Sequence, residues 1–508
     1  MTDTIKVKSA LISVYHKESI EDWVKELQKW GVVIYSTGGT YDYIRNMGID
    51  AISVEKVTDY PSIFGGRVKT LHPQIMGGIL YRRNVAHDQE EAHLYNIPSI
   101  DLVIVDLYPF AQTIATTDIE EEITEKIDIG GISLIRAAAK NFAHVAIVPA
   151  SNDFDVALQW FREEKGGFSL DQRKYLAARA FAVSSEYDST IFNYFSRQTG
   201  APGLRISLDH PTVLRYGENP HQKGWFYGNS EEIFSQLHGK EISYNNFLDI
   251  DAALELIEEF EEPTVAIIKH NNACGCASAD SVNEAWEKAL AGDPVSAFGG
   301  VIVSNEMIDE ITASLINELF FEIIIAPGYE KKALEILKSR KNRIILQLRS
   351  WRPHGQLIRS ALGGLLVQDR DPVGEDASAW EVKTLKAPSA EETDDLVFAN
   401  KVVKHLKSNA IALAKNRQLI GAGAGQTSRV DALKQAIEKA RGFGFSLQGA
   451  VLASDAFFPF ADSVQLAHES GITAIVQPGG SIRDQDSIDF CNQNGVAMLF
   501  TGVRHFKH

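Results

Sequence analysis

Along the first 150 residues, short apolar runs alternate with amphipathic stretches. Residues 10–14, 32–35, 102–105 and 145–148 are compact and rich in β-branched side chains, the pattern of strands buried on both faces of a parallel sheet. Between the first two, Ile20, Trp23, Val24 and Leu27 recur at i, i+3, i+4 and i+7, which predicts a helix with Gly31 at its end. Strand, helix, strand at this rhythm predicts right-handed βαβ units whose ligands gather at the carboxyl ends of the strands. A helical stretch over 170–195 follows. Residues 197–211, rich in Gly, Pro and Ser, predict a domain boundary.

From about residue 206 the pattern is mixed. Residues 265–269 and 300–303 predict strands, 282–290 and 430–440 predict helices, and 411–421 alternates about Asn416-Arg417 as a hairpin does. The polar loop 269–274 followed by the small-residue loop 296–299 resembles 421–429 followed by the aromatic loop 454–460. That correspondence predicts a duplication, with the polar, Pro/Gly-punctuated stretch 369–387 linking the copies.

Composition narrows the choices. At about 150 residues per domain, 508 residues predict roughly three domain-sized units. With 44% hydrophobic and 23% charged residues, disorder and collagen-like repeats are excluded. A net charge of −17 with no basic stripe argues against a nucleic-acid partner, and phosphate ligands would need local clusters of cations and N–H groups. Three cysteines cannot form a disulfide framework, and Cys274 and Cys276 are too close for the usual zinc pairing. No secretory signal or apolar span is visible, so the expectation is a cytoplasmic protein with no membrane partner.

Candidate chemistry lies at predicted strand ends. Ser36-Thr37-Gly38-Gly39-Thr40 opens a predicted helix, and reads either as an anion cradle or as a glycine turn with capping hydroxyls. The loop from Gly65 through Arg67, Lys69, Thr70 and His72 to Pro73 brings two cations to two glycines; the alternative is a solvated basic loop, and Pro73 is expected to stop further helix. Asp128-Ile129-Gly130-Gly131 leads into a helix on which Arg136 and Lys140 share a face, while the alanines at 137–139 predict close packing. Tyr108 follows a predicted strand. In the second half Lys269-His270-Asn271-Asn272 closes a strand, where His270 is a base kept neutral by the adjacent cation or else a structural imidazole. The glycines at 421–425 suggest a dinucleotide loop, although their register is imperfect and Asp455 lies too far on. Residues 454–460 read as core or as a stacking platform for a flat heterocycle.

Together these stretches closely resemble the bifunctional purine-biosynthesis family that joins phosphoribosylaminoimidazolecarboxamide (AICAR) formyltransferase to inosine monophosphate (IMP) cyclohydrolase. The likeness runs collinearly from about residue 10 to the end through STGGT, GGRVKTLHP, DLYPF, IDIGG…IRAAAKN, LRYGENPHQ, YNNFLDIDAA, KHNNACG, DPVSAFG, GAGAGQTSR, SDAFFPF and TGVRHF. It implies an α/β protein: a methylglyoxal-synthase-like parallel-sheet domain over 1–199 for the cyclohydrolase, then two cytidine-deaminase-like α/β subdomains over 200–508, split near 370–390, for the formyltransferase. It further implies 10-formyltetrahydrofolate as co-substrate, no metal requirement, and AICAR, formyl-AICAR and IMP as ligands. A homodimer with formyltransferase sites at the subunit interface is also implied.

Carried onto this sequence, the resemblance makes His270 the base, with Lys269 and Asn409 stabilising charge on the formyl oxygen. Arg215, Arg429 and Arg504 would contact phosphate and carboxamide. Tyr216, Asn246, Phe298, Gly299, Phe457 and Asp462 would wall that pocket. In the first domain Ser13, Lys17, Ser36, Thr37, Gly38, Gly39, Arg67, Thr70 and Gly130 would cradle the nucleotide, and Lys69, Tyr108, Asp128 and Lys140 would form the catalytic cluster. Three departures stand out: Asp106 where the family often has Asn, Tyr15-His16 where it has Ser or Tyr followed by Asp, and Ala273 where it often has Pro. Two rival readings are a first domain that only binds nucleotide and regulates, and a dinucleotide oxidoreductase built on 421–425.

Overall fold

A computed structural model describes residues 4–66, 68–209, 211–351, 355–374 and 376–508. It divides into two compact units, residues 1–209 and 210–508. Among the described residues no helix is long and apolar enough to cross a membrane.

In the first unit the apolar runs become parallel strands: β1 (Ser9–Val14), β2 (Val33–Ser36), β3 (Ile52–Ser53), β4 (Leu102–Asp106) and β5 (Ala146–Val148), in the order β3-β2-β1-β4-β5. The helix α1 (Glu21–Lys29) buries Trp23, Val24 and Leu27, and Gly31 follows its end at φ +67°. After β2 comes α2 (Gly38–Asn46), so the glycine loop does open a helix. Pro73 does not end helical structure but begins it: α3 (Pro73–Leu80) starts at that residue, because its fixed φ suits the first helical position and no N–H is needed there. The loop 68–72 precedes it. The helix α4 (Gly130–Lys140) packs on α5 (Leu170–Thr199), and its buried alanines at 137–139 allow the close approach. A Ser169/Gln172 capping box starts α5, and Gly200 ends it at φ +69°.

The second unit is built twice. The first copy comprises β6 (Phe234–His238), α6 (Tyr244–Ile257), β7 (Thr264–Lys269), β8 (Asn272–Ser278), α7 (Val282–Gly292), β9 (Val301–Ser304), α8 (Glu310–Glu318), β10 (Ile323–Ala326), α9 (Lys331–Leu337) and β11 (Ile344–Leu348). A hairpin, β12 (Gln356–Ala361) and β13 (Gly364–Asp369), intervenes. The second copy is β14 (Glu381–Val382), α10 (Ala390–Lys404), β15 (Ile411–Lys415), β16 (Gln418–Gly423), α11 (Arg429–Gly442), β17 (Ala450–Ser454), α12 (Asp462–Glu469), β18 (Ile472–Gln477), α13 (Asp484–Asn494) and β19 (Ala497–Phe500). Among the described residues, twelve strands form one mixed sheet in the order β6-β11-β10-β9-β7-β8-β16-β15-β17-β18-β19-β14, a palindrome in which β8 and β16 meet at the centre.

The duplication is therefore present, but its register differs from the sequence comparison. The Lys269–His270 turn corresponds to the Asn416–Arg417 turn between β15 and β16, not to 421–429. The glycines at 421 and 423 serve packing: an added Cβ would lie 2.3 Å from the Ala436 carbonyl oxygen and 1.9 Å from that of Ala432, so they let α11 press against β16. That close contact leaves these glycines no room to cradle a pyrophosphate.

Candidate active sites

At the carboxyl ends of β1, β2 and β4 the first unit opens a cavity of about 690 Å³. Ser13, Lys17, Thr37, Gly39, Lys69, Thr70, Tyr108, Asp128 and Gly130 all line it, so most of the residues singled out from sequence converge here. Two glycines make the floor. A Cβ on Gly38 would fall 2.8 Å from Lys69 Nζ, and one on Gly39 would fall 2.9 Å from Lys17 Cε. Both lysines can thus lie across the start of α2, where free N–H groups and two ammonium groups suit a phosphate. The Ser13 and Thr37 hydroxyls are 3.3 Å apart beside them. Ser36 is fully buried, and its hydroxyl donates to the Ile12 carbonyl at 2.9 Å, which places it beneath the floor rather than in the cavity lining. Arg67 lies outside the described residues.

The opposite wall is the segment before α4. Asp128 Oδ1 accepts from the Gly131 N–H at 2.6 Å. Burial pushes the Asp128 carboxyl up, with backbone N–H groups opposing it and the Asp106 carboxylate adding to it. A Cβ on Gly131 would lie 2.7 Å from Asp128 Oδ2 and 2.8 Å from Leu107 Cδ2, so any larger residue there would displace the Asp128 carboxylate and the Leu107 side chain. Burial, and then the Asp128 charge, raise the Tyr108 phenol. Lys140 sits elsewhere. It is exposed on the last turn of α4, ten residues and therefore about 15 Å along the axis from Gly130, and it is absent from the cavity lining. Arg136 does not share its surroundings, since its guanidinium reaches Ser184 Oγ at 3.3 Å and the Phe181 ring on α5.

Two residues not singled out from the sequence, Lys126 and Tyr187, belong to this site, and the Tyr15-His16 departure joins them. Lys126 Nζ lies 5.2 Å from the Tyr15 ring centroid and 5.7 Å from that of Tyr108, and those two rings meet edge to face at 5.5 Å. Tyr187, on α5, accepts from the Asp128 N–H at 2.8 Å and donates to the Lys126 carbonyl at 2.6 Å. His16 donates its backbone N–H to Asp106 Oδ2 at 3.0 Å and holds the same oxygen with ring Nδ1 at 2.7 Å. Two of the family departures therefore meet as one pair.

In the second unit the site forms at the β7–β8 turn. Pairing of Lys269 with Asn272 leaves His270 and Asn271 as a two-residue loop, both at positive φ, +52° and +61°. His and Asn tolerate that region better than most residues. Lys269 Nζ donates to the Phe298 carbonyl at 2.6 Å, which ties the strand end to the loop of Phe298 and Gly299. Asn272 links the copies: its Nδ2 donates to the His270 carbonyl at 2.9 Å, and its Oδ1 accepts from the Lys407 N–H at 2.9 Å. The chain then passes through Ser408, which donates to Asp455 Oδ2 at 2.6 Å, to Asn409. Asn409 Oδ1 accepts from Arg429 Nη2 at 2.7 Å, while Arg429 Nη1 pairs with Asp455 and reaches Ser454 Oγ at 2.8 Å. The Arg429 guanidinium is thus engaged by protein groups and fixes Asn409.

Other expected contact residues make local interactions. Asn246 closes the capping box at the start of α6, its Oδ1 accepting from the Ser243 N–H at 3.2 Å. Arg215 lies over the Tyr216 ring, and that loop is tied to α6 where Asn245 donates to the Glu218 carbonyl at 3.1 Å. Arg504 packs over Phe506, and Asp462 caps its neighbour Ser463. Phe457 is partly exposed. Among the described residues, no hydrogen bond or ring contact joins Arg215, Phe457, Asp462 or Arg504 to the Lys269–His270 turn. The cysteines are packing residues: Cys274 Sγ donates to the Ile267 carbonyl at 3.3 Å, and burial pushes its thiol up to about 12.

A match to the AICARFT/IMPCHase bienzyme family spans residues 138–439, more than half of the chain, and a match to the MGS-like domain spans residues 19–133. The chain belongs to the AICARFT/IMPCHase bienzyme family. Its relatives include the bifunctional purine biosynthesis protein PurH of Bacteroides thetaiotaomicron, 56% identical over all of both chains. The PurH proteins of Aquifex aeolicus, at 47% identity, and Caldicellulosiruptor bescii, at 46%, match 98% and 99% of this bienzyme and the whole of their own lengths.

Proposed function

We propose that this bienzyme closes the second purine ring in the cavity of residues 1–199 and transfers the formyl group at the His270 turn of residues 200–508. The chain is a bifunctional enzyme of purine biosynthesis, a formyltransferase and a cyclohydrolase, with a formyl-folate as one-carbon donor. The observation that carries the site assignment is that two separate constellations are built on separate folding units.

The donor is 10-formyltetrahydrofolate. The aromatic amine of AICAR attacks its formyl carbon, His270 takes the amine proton, and Lys269 and Asn409 offset the charge growing on the formyl oxygen. The bond to the folate nitrogen then breaks as that nitrogen takes up the proton held by His270, releasing tetrahydrofolate and formyl-AICAR. In the first unit, Lys17, Lys69 and the start of α2 hold the phosphate of formyl-AICAR. The carboxamide nitrogen attacks the formyl carbon, and water leaves as IMP forms. Tyr108, kept protonated by burial and by Asp128, donates toward the departing oxygen. Folding the substrate into an attack geometry supplies much of the remaining acceleration.

Neither step calls on a metal. The exposed apolar residues of the β12–β13 hairpin, among them Leu357, Ile358, Leu365 and Val367, support a second copy of the chain as partner, with each formyltransferase site completed at that interface. Free thiols at 274, 276 and 491 suit a reducing, cytoplasmic setting.

The test uses the full chain without added metal. It should convert AICAR and 10-formyltetrahydrofolate to IMP. His270→Ala should fail to use AICAR yet close supplied formyl-AICAR, and Lys69→Ala should do the converse. A folded single variant that loses both activities would overturn the two-site assignment. Tight nucleotide binding to the first unit without ring closure would favour a regulatory role.

A further inference from the structure

The two copies of the second unit share a device that only one of them uses next to a reacting group. In the first copy, Ser243 caps α6, and six residues later Asp249 Oδ1 accepts from the Asn271 N–H at 2.7 Å. In the second copy, Ser389 caps α10, and six residues later Asp395 accepts from the Asn416 N–H at 2.9 Å and the Arg417 N–H at 2.6 Å. Each carboxylate grips a two-residue turn whose residues all have positive φ. Such a turn directs N–H groups away from the strand ladder, and an ionised acceptor on the packed helix satisfies them with a charge-assisted bond. With its amide nitrogen toward the acceptors, the Asn271 side chain adds bonds to the Leu248 carbonyl at 3.0 Å and Asp249 Oδ1 at 3.2 Å.

The two turns carry different side chains. The gripped turn of the first copy presents His270; its counterpart presents Asn416. We propose that Asp249 is a positioning residue for formyl transfer, fixing the His270 turn on the same helix that anchors the Arg215–Tyr216 loop, whereas Asp395 does the same mechanical work for a turn with no part in the chemistry. The anchoring runs through Asn245, four residues before Asp249 on α6, to the Glu218 carbonyl. Base and loop thus share one rigid support. Burial raises the Asp249 carboxyl while the Asn271 N–H opposes it, in keeping with an enclosed group held by that bond. The inference rests on His270 being the formyltransferase base.

The second copy provides an internal control. Asp249→Ala and Asp395→Ala in the full-length chain each remove the carboxylate that grips a turn, so both melting temperatures should fall. Formyl-transfer kcat should fall at least about tenfold in Asp249→Ala alone, with KM for AICAR within about threefold, because displacement of a base by ~1 Å costs turnover more than binding. Cyclohydrolase activity should hold in both. If either alanine variant fails to fold, Asp249→Glu and Asp395→Glu carry the same comparison, since the extra methylene moves the accepting oxygen but keeps its charge. Equal effects of the paired variants on kcat, or an unchanged kcat in a folded Asp249 variant, would overturn the proposal. His270→Ala run alongside separates the two claims: if it keeps formyl transfer, the assignment of the base has failed, and if it alone loses activity, only the role of Asp249 has.

Discussion

His16 and Asp106 meet across the carboxyl ends of two adjacent parallel strands, ring Nδ1 2.7 Å from carboxylate Oδ2. The partnership turns an acidic residue in the cavity wall into an internally bonded one. A bare carboxylate there would face an anionic nucleotide and the Asp128 carboxyl, on which Asp106 already acts.

Removing the partner should expose that charge. His16→Ala should raise the cyclohydrolase KM for formyl-AICAR about tenfold, equivalent to about 1.4 kcal/mol. Asp106→Asn added to His16→Ala should restore it, and steady-state kinetics on the four combinations measure the coupling.

Gly131 lies against the side chains of Asp128 and Leu107. Gly131→Ala should push Asp128 and Leu107 aside, costing about 1–3 kcal/mol of stability. Cyclohydrolase kcat should fall at least about tenfold. Formyl transfer measured on the same sample should not change.

For the other site, His270→Ala should lower formyl-transfer kcat by about 10²–10⁴. Ring closure of supplied formyl-AICAR should stay near normal, as read by the absorbance of IMP.

Glu259 governs an acid-sensitive contact. Burial works to raise its carboxyl, but bonds from His405 at 2.9 Å and Lys404 at 2.7 Å outweigh it and hold the group at about 2. Because the folded value is depressed, its stabilisation is complete above the unfolded value near 4.5 and is lost as pH falls toward 2. Glu259→Gln should lower Tm at neutral pH, by about 3 kcal/mol of stability if the pair behaves as a broken buried ion pair. It should also flatten the fall in Tm between pH 4.5 and 3, as followed by calorimetry.

The exposed hairpin gives a test of assembly. Ile358 and Val367 are cross-strand partners on one face of β12–β13. Placing Glu at both should yield a monomer by light scattering, with formyl transfer lost and cyclohydrolase retained.

Much of this architecture follows from local pattern. The buried runs of the first unit, the amphipathic α1, the hairpin about Asn416-Arg417 and the glycine loop opening α2 each express a rule that acts within a few residues: strand burial, helical period, turn preference, helix capping. The residue types of both sites were legible for the same reason, since glycines, cations and a Lys-His pair stood at strand ends. Pro73 starts α3 instead of stopping helix because proline disfavours helix only for the residues that precede it. The register of the duplication was obscured because the paired turns share backbone shape and not side chains.

What chain order could not convey is which groups use up one another. Folding alone engages the Ser36 hydroxyl with Ile12 and one Asp106 carboxylate oxygen with His16, and it carries Lys140 a helix length from the cavity. Hydrogen bonds saturate, and their partners here lie 20 or more residues apart in the chain. Sequence therefore specified the elements and the kinds of groups at their ends, and only the packed structure decided which of those groups remained available for a ligand.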